Sequence, residues 1–388
     1  MRILIANDTF YPNLNGCAYF AYRLATYLKK RGHDVFVVAP SESFHNEKSV
    51  RGGIDVYGLR SFPIKHYTKY RIAFPFFIQK DLMAFMREFK PDIVHVQGHF
   101  IVCRNVLKAA KKLCIKVVGT NHFMPENLVF YLHLPNRVEE WIKKKAWNDF
   151  RRIFEKLDLV TTPTKTAAGL MKKIGFSKKI LVVSNGIDIE KFHPGQDGDY
   201  LKKRYKLPNK PILLYVGRLD KEKNVDSVLR ALSKMNRKIA PHFLVAGKGF
   251  EEKNLKRLAK KLGIGKMVTF AGFVPDDDLP YLYRMSDVFI NAGTAELQSL
   301  VVMEAMASGL PVIGVNATAL PELVHNNKNG YLFEHGDLNG LIESLNKMFG
   351  SDKLRKRFSQ KSLEIIKNHD IEKIISTFES LYKGLIKA

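Results

Sequence analysis

Apolar residues along this chain fall into a repeating order of short buried-looking runs and longer amphipathic stretches. RILIA opens the chain as a strand, and 19–31 reads as a helix that stops at Gly32. HDVFVVAP, DIVHVQG, IKVVGTNH, DLVTTPTK and KILVVSNGID follow, each a β-rich run, with a helix read at 102–113 between the second and third of these. Runs of this kind, apolar on consecutive positions and separated by helical periods, predict a parallel, doubly wound sheet.

The order then restarts. PILLYVGRLD, HFLVAGKG, MVTFAGFV, DVFINAG and GLPVIGV are further strands, with helices predicted at 225–235 and 251–262. The polar stretch HPGQDGDYLKKRYKLPNK precedes them and reads as a linker. The last helix, 371–385, carries apolar residues at helical spacing on one face, which must dock on something. The fold class is therefore α/β, with two Rossmann-like domains. They are placed at 1–190 and 205–370, and the helix of 371–388 is expected to pack back toward the first. Ligands of such sheets bind beyond the carboxyl ends of the strands. The loops to search are NDTFYPNLNG and TNHFMPEN in the first domain, and GRLDKEKN, GKGF and GTAELQS in the second.

Composition narrows the class. With 388 residues and 46% hydrophobic positions the chain can build two cores. It has no run of about 18 apolar residues and no signal-peptide order at its start, and Cys17, Cys103 and Cys114 have neither metal spacing nor a paired framework. A cytoplasmic setting is the expectation. The net charge of +25 favours anionic partners, and the first 190 residues hold 31 Lys and Arg against 16 Asp and Glu. A lysine-rich composition without a specific anionic partner explains the same charge.

Candidate chemistry gathers in the second half. In GTAELQSLVVMEAMASGLPVI, Glu296 precedes a helix read from about Gln298 and Glu304 lies inside it, with Gly309 closing it. The first helical turn, near Ser299 and Leu300, offers backbone N–H groups to a phosphate. Eight helical residues span about 12 Å, so the two acids suit hydroxyls at the two ends of a diphosphate-linked ligand. A dipole-favoured acid plus a helix-surface acid is the plainer alternative. Arg218 and Lys223 in GRLDKEKN suit a diphosphate, or are solvated turn residues. GKGFEE lacks the third glycine of a dinucleotide fingerprint. In the first half, Gly16 stands at a helix mouth and His122 at a strand's carboxyl end, each open to a site role or a structural one. No Ser–His–Asp order, HExxH or Cys/His cluster occurs.

Taken together and in order, E-x7-E followed by EAMASGLPVI, GRLDKEKN, VSNGIDIEKFHP and YPNLNG resemble the retaining GT-B glycosyltransferases of the fourth family, over nearly the whole chain. The resemblance implies two Rossmann-like domains facing across a cleft and transfer from a nucleotide diphosphate sugar with retention. It gives Glu296 the donor sugar's hydroxyls, Glu304 the ribose, and Arg218 and Lys223 the diphosphate. The amides at Ser299 and Leu300 take phosphate, Gly16 lies near the same group, and His122 approaches the donor sugar. Neither a metal nor another cofactor is implied. Three places depart from the family: Asn15 replaces the first of two glycines, where its tolerance of positive φ is expected to preserve the loop, Asn224 follows Lys223 where glycine is commoner, and Gln298-Ser299 replaces Phe-Gly. The latter variant resembles members that glucosylate or galactosylate diacylglycerol, which suggests UDP-glucose or UDP-galactose, although GDP-mannose users share the other motifs.

For the acceptor, residues 60–87 hold six Lys and Arg, one acid and seven Phe and Tyr. That mixture suits an anionic membrane surface, or a segment covering the core. The helix of 137–158 has an apolar stripe at Val138, Ile142, Ala146, Phe150, Ile153 and Leu157 that suits core packing, with Lys143 to Lys145 as a second basic contact. A lipid acceptor and a peripheral cytoplasmic location are expected, with a soluble or polysaccharide acceptor as the alternative. A nucleic-acid partner is not expected, because no RNP, zinc-finger or helix-turn-helix signature is present.

Overall fold

The computed structural model describes residues 1–12, 15–64, 67–76, 78–125, 135–195 and 197–388, without the side chains of 67–70 and 136. Parts of YPNLNG, TNHFMPEN and the aromatic segment of 60–87 therefore lie outside the described residues. The chain forms two compact units, Met1–Asn185 with Glu372–Ala388, and Gly186–Ile371.

The first unit is built on an eight-stranded sheet. Its spatial order is Ile180–Val182, Leu159–Thr162, Val117–Thr120, Ile93–Val96, Arg2–Ala6, Asp34–Pro40, Ile54–Leu59 and Glu47–Arg51. All neighbours are parallel except the last pair. The central strands are apolar on consecutive positions because both faces are covered; Ile3, Leu4 and Ile5 are wholly buried. A glycine interrupts Val117–Thr120 because a Cβ at Gly119 would lie 2.2 Å from Leu157 Cδ1. The sheet closes on the polar, antiparallel strand Glu47–Arg51, whose alternate residues are exposed. Periodicity did not reveal this strand, nor the separate ribbon Ser61–Ile64 with Tyr67–Ala73.

The helix Asn136–Phe154 packs through its second half only: Trp147, Phe150, Ile153 and Phe154 are buried, while Val138 and Trp141 are exposed. The core stripe read for this helix thus begins near residue 146.

The helix Ile371–Lys387 supplies its residues from 372 onward to this unit. Phe378 and Tyr382 are wholly buried. The Tyr382 hydroxyl is hydrogen-bonded to His95 Nδ1 at 2.6 Å, and His95 Nε2 to Thr120 Oγ1 at 2.7 Å. At the helix's outer side Arg31 grips Glu372 and Glu379, and His33 Nε2 lies 2.7 Å from Glu379. Burial draws the His95 pKa down to about 3, so the ring is neutral and depends on both hydrogen bonds. Tyr382→Phe would leave His95 Nδ1 buried and unpaired, and is expected to destabilise the protein by about 1–3 kcal/mol in urea unfolding. An unchanged midpoint would show that this bond does not hold the helix.

The second unit has a six-stranded, fully parallel sheet in the order Val268–Gly272, His242–Ala246, Ile212–Val216, Val288–Asn291, Val312–Val315 and Gly330–Phe333. The stretch read as a linker is part of this unit: its helix Asp199–Arg204 buries Leu201 completely, and Tyr200 donates to Asp278 Oδ1 at 2.6 Å. Its polarity belongs to the outer face of a packed helix.

Candidate functional site

In the second sheet the strand order reverses between Ile212–Val216 and Val288–Asn291, which are paired in parallel. The loops leaving their carboxyl ends therefore open side by side, the arrangement that makes a crevice in an open α/β sheet. One loop is GRLDKEKN, 217–224, and the other is AGTAELQS, 292–299.

The two loops are tied by one side-chain and one backbone hydrogen bond. Asn224 Nδ2 donates to the Ala292 carbonyl at 3.0 Å, and the Thr294 N–H donates to the Glu222 carbonyl at 3.4 Å. Asn224 can close its turn because it stands in the left-handed region at φ 49°, where asparagine substitutes best for glycine. This placement carries Lys223 to Glu296. Lys223 Nζ donates to Glu296 Oε1 at 2.7 Å, and the side chains are only 15% and 17% exposed. A carboxylate so fixed keeps lone pairs for further donors, such as sugar hydroxyls.

Arg218 is oriented by two acids of its own loop, Asp220 and Glu222 Oε1, the latter at 2.9 Å. Both acids are buried whereas the Arg218 side chain is 43% exposed. The cation is thus pre-positioned by buried acids.

The helix Leu300–Ala307 follows, with Ser299 as its N-cap residue in extended conformation. The Ser299 hydroxyl accepts from Asn291 Nδ2 at 3.1 Å and does not cap the helix. Ser299 and Leu300 therefore sit at the positive end of the helix, one turn beyond Glu296. Gly309 closes this helix with φ 82°, and the Leu310 N–H reaches back to the Ala305 carbonyl. Glu304 points to Tyr283, whose hydroxyl donates to Oε2 at 2.8 Å.

One detail differs from the helical reading of the paired acids. Glu296 lies in a loop, four residues before the helix starts, so helical rise and rotation do not relate it to Glu304. Its N–H donates to Thr318 Oγ1 at 3.2 Å and its carbonyl accepts from Ala319 N–H at 3.2 Å. Those bonds to the segment after Val312–Val315 replace helical ones. Thr318 holds φ 47°, unusual for a β-branched residue, and no sequence signal marked it. Asn291, buried at a strand's end, was legible only as a strand terminus.

Gly16 and His122 belong to the first unit. The helix Gly16–Lys30 begins at Gly16, where a Cβ would meet no atom within 4 Å among the described residues beyond its neighbours and its own helix. Asn15 does not adopt positive φ: at φ −128° it is the helix N-cap, its side chain accepting from Ala18 N–H at 2.8 Å. The asparagine is explained by capping rather than by tolerance of a left-handed backbone. His122 Nε2 donates to Gln97 Oε1 at 3.0 Å, and the Phe20 ring from the Gly16 helix lies 4.8 Å away. The surrounding protein lowers the His122 pKa to about 3, so the imidazole is neutral and, with Nε2 protonated, keeps Nδ1 as an acceptor. Gln97 and Asp8, which accepts the Val102 N–H at 2.7 Å, are strand-end residues that the sequence did not single out.

Comparison with known proteins now decides the family. Residues 199–364 match the model for glycosyl transferases group 1, and residues 14–191 match that for glycosyltransferase family 4. The chain belongs to the fourth glycosyltransferase family. Among its relatives, the sulfoquinovosyl transferase of Arabidopsis thaliana is 27% identical over 89% of this chain and 66% of its own length, so this chain spans slightly less than two thirds of it. The alpha-monoglucosyldiacylglycerol synthase of Streptococcus pneumoniae is 28% identical, covering 89% of this chain and 78% of the relative. A GDP-mannose-dependent alpha-mannosyltransferase of Mycobacterium tuberculosis is 25% identical over 87% of this chain and 85% of its own.

Solved structures show the same fold. The sucrose-phosphate synthase of Thermosynechococcus elongatus superposes with a TM-score of 0.82 at 18% identity, covering 100% of this chain and 99% of that one. Anabaena Alr3699/HepE, solved with UDP-glucose, gives 0.78 at 19% identity, covering 99% and 100%. The fold of this family member is GT-B.

Proposed function

We propose that this glycosyltransferase transfers a hexose from a UDP-sugar, glucose or galactose, to a diacylglycerol-like lipid at a membrane surface, with retention and without a metal. The observation that carries the transfer reading is the Lys223–Glu296 pair beside Arg218 and the Leu300 helix end, all on adjoining loops of one sheet edge. In this reading Glu296 accepts from the sugar hydroxyls. Arg218 and Lys223 neutralise the diphosphate, and the amides at Ser299 and Leu300 take its oxygens. Glu304, steadied by Tyr283, accepts from the ribose. The family resemblance adds Gly16 for the phosphates and the neutral His122 as a hydrogen-bonding group for the donor sugar. With two cations and a helix end at the leaving group, charge stabilisation needs no divalent ion. No side-chain nucleophile enters this scheme: the leaving phosphate oxygen takes the acceptor's proton as the new bond forms on the same face.

The lipid acceptor draws support from the relative named alpha-monoglucosyldiacylglycerol synthase. Among the described residues no helix is long and apolar enough to cross a membrane, so the lipid would be met from its surface. A GDP-mannose donor with a soluble or polysaccharide acceptor is the second reading, favoured by the mannosyltransferase relative. A thermal-shift panel of UDP- and GDP-sugars, followed by product analysis with the best donor, tests both. Expected are stabilisation by UDP-glucose or UDP-galactose, an α-linked glycolipid, and activity undiminished by EDTA. Preference for GDP-mannose, products only on water-soluble sugars, an inverted linkage or loss of activity in EDTA would each overturn the corresponding part.

A further inference from the structure

The ribbon formed by Ser61–Ile64 and Tyr67–Ala73 has two unlike faces. Ser61 pairs with Ala73 and both are 2% exposed, while the next pair, Phe62 with Ile72, turns outward. Phe62, Ile72, Phe74 and Phe76 are 39%, 36%, 37% and 62% exposed. They form one patch. Phe74 and Phe76 stack edge to face at 5.7 Å, and the Arg60 guanidinium lies 4.6 Å from the Phe74 ring. Large side chains clustered outward are unusual for a soluble surface and mark an interaction site.

Charge selects the occupant. Residues 60–76 carry four Lys and Arg and no Asp or Glu, within a chain of net charge +25. On the following helix Lys80 is exposed, and Asp81 is engaged by Asn46 Nδ2 at 2.8 Å. Arg60 is held in place by the Phe76 carbonyl. A guanidinium beside outward aromatic rings fits a layer whose phosphates lie just above its apolar region. A protein partner of matching shape would need an apolar socket rimmed by acids, whereas a bilayer of anionic lipid supplies both chemistries without any specific shape.

We infer that this patch, Phe62, Ile72, Phe74 and Phe76 with Arg60, is the surface by which the protein docks on an anionic lipid bilayer, its rings entering the headgroup layer. The inference rests on the reading of the enzyme as one that works at a membrane, and extends it by assigning the contacting residues.

Sedimentation with vesicles, in the absence of donor and acceptor, tests it. The wild-type protein is expected to bind vesicles containing about one third phosphatidylglycerol at low salt, with binding falling as salt rises and absent on pure phosphatidylcholine. The variant F62S/F74S/F76S should lose at least about tenfold in vesicle affinity, while its melting temperature and its donor-induced thermal shift stay as in the wild type. Equal vesicle binding by variant and wild type would overturn the inference, as would wild-type binding to neutral vesicles alone. So would a wild-type dimer that the variant converts to monomer, which would make the face a self-interface. Should the variant be poorly folded, the single substitution F76S, at the most exposed ring of the ribbon's end, carries the same expectation with a smaller loss. Vesicle binding together with transfer only to soluble sugars would remove the lipid acceptor and leave this surface standing; glycolipid synthesis without vesicle binding would do the reverse.

Discussion

Glu296→Ala is expected to lower turnover by about 100-fold or more, whereas Glu304→Ala should raise the donor KM with a smaller loss of turnover. The asymmetry follows from where the two carboxylates sit. Glu296 is held by Lys223 at 2.7 Å in a mostly buried pair, so its removal strips a positioned acceptor from the sugar and releases the lysine that is to meet the diphosphate. Two functions of the site fail together. Glu304 is braced by Tyr283 and lies inside the helix, where the nucleotide's ribose is assigned, remote from the bond that breaks. Loss of uniform binding appears in KM and loss of transition-state contacts in turnover. Steady-state kinetics on both variants with the best donor decides the matter, and equal losses in turnover would mean that the two roles are wrongly divided.

Gly247→Ala should be as damaging for a different reason. A Cβ at residue 247 would lie 1.8 Å from the Gly217 carbonyl oxygen, and the residue's φ of 139° is strained for any L side chain. The obstacle is backbone, so no rotamer change relieves it. Gly217 begins the loop that carries Arg218 and Lys223, and the Gly217 N–H donates to the Ala246 carbonyl. Pushing these strand ends apart is expected to destabilise the fold by about 3 kcal/mol or more and to abolish the donor-induced thermal shift. Gly16→Ala is the contrast: among the described residues beyond its neighbours and its own helix, no atom lies within 4 Å of its added Cβ, so its melting temperature should stay within a degree or two, about 0.5 kcal/mol. Circular dichroism melts of the two variants compare them directly. A Gly247→Ala protein that melts with the wild type would show that the loops can separate without harm. This close approach also explains the GKG stretch: its glycines serve the meeting of two backbones, Gly249 lying against Leu219 as Gly247 does against Gly217.

Much of this architecture could be read from the chain, for a physical reason. Parallel strands covered on both faces must be apolar on consecutive positions, so RILIA, ILLYV and VFIN announced themselves. Elements without a clear apolar pattern were harder. Glu47–Arg51 and the ribbon of Ser61–Ile64 with Tyr67–Ala73 have weak or mixed alternation, and exist because a neighbouring strand supplies their hydrogen bonds. Asn15 could be read as a residue for a left-handed turn, yet capping of Ala18 N–H decided its conformation. The polar stretch before Pro211 resembled a linker because its helix exposes one face, and only the burial of Leu201 shows the other.

For the site, residue types and their order along the chain were enough to mark Arg218, Lys223, Glu296, Ser299, Leu300 and Glu304 as one set. What the sequence could not decide was which of them touch. Lys223 and Glu296 are 73 positions apart, and they meet because the strands preceding their loops, Ile212–Val216 and Val288–Asn291, are neighbours at the point where the sheet order reverses. Strand neighbourhood is a property of the whole packed sheet, set by which faces the helices cover and how the crossovers run. So too is the extended loop that holds Glu296 outside its helix, since Thr318 and Ala319 supply the hydrogen bonds that a further helical turn would have made. The chain by itself determined which chemistry was present; the packing of strands remote in sequence decided its geometry.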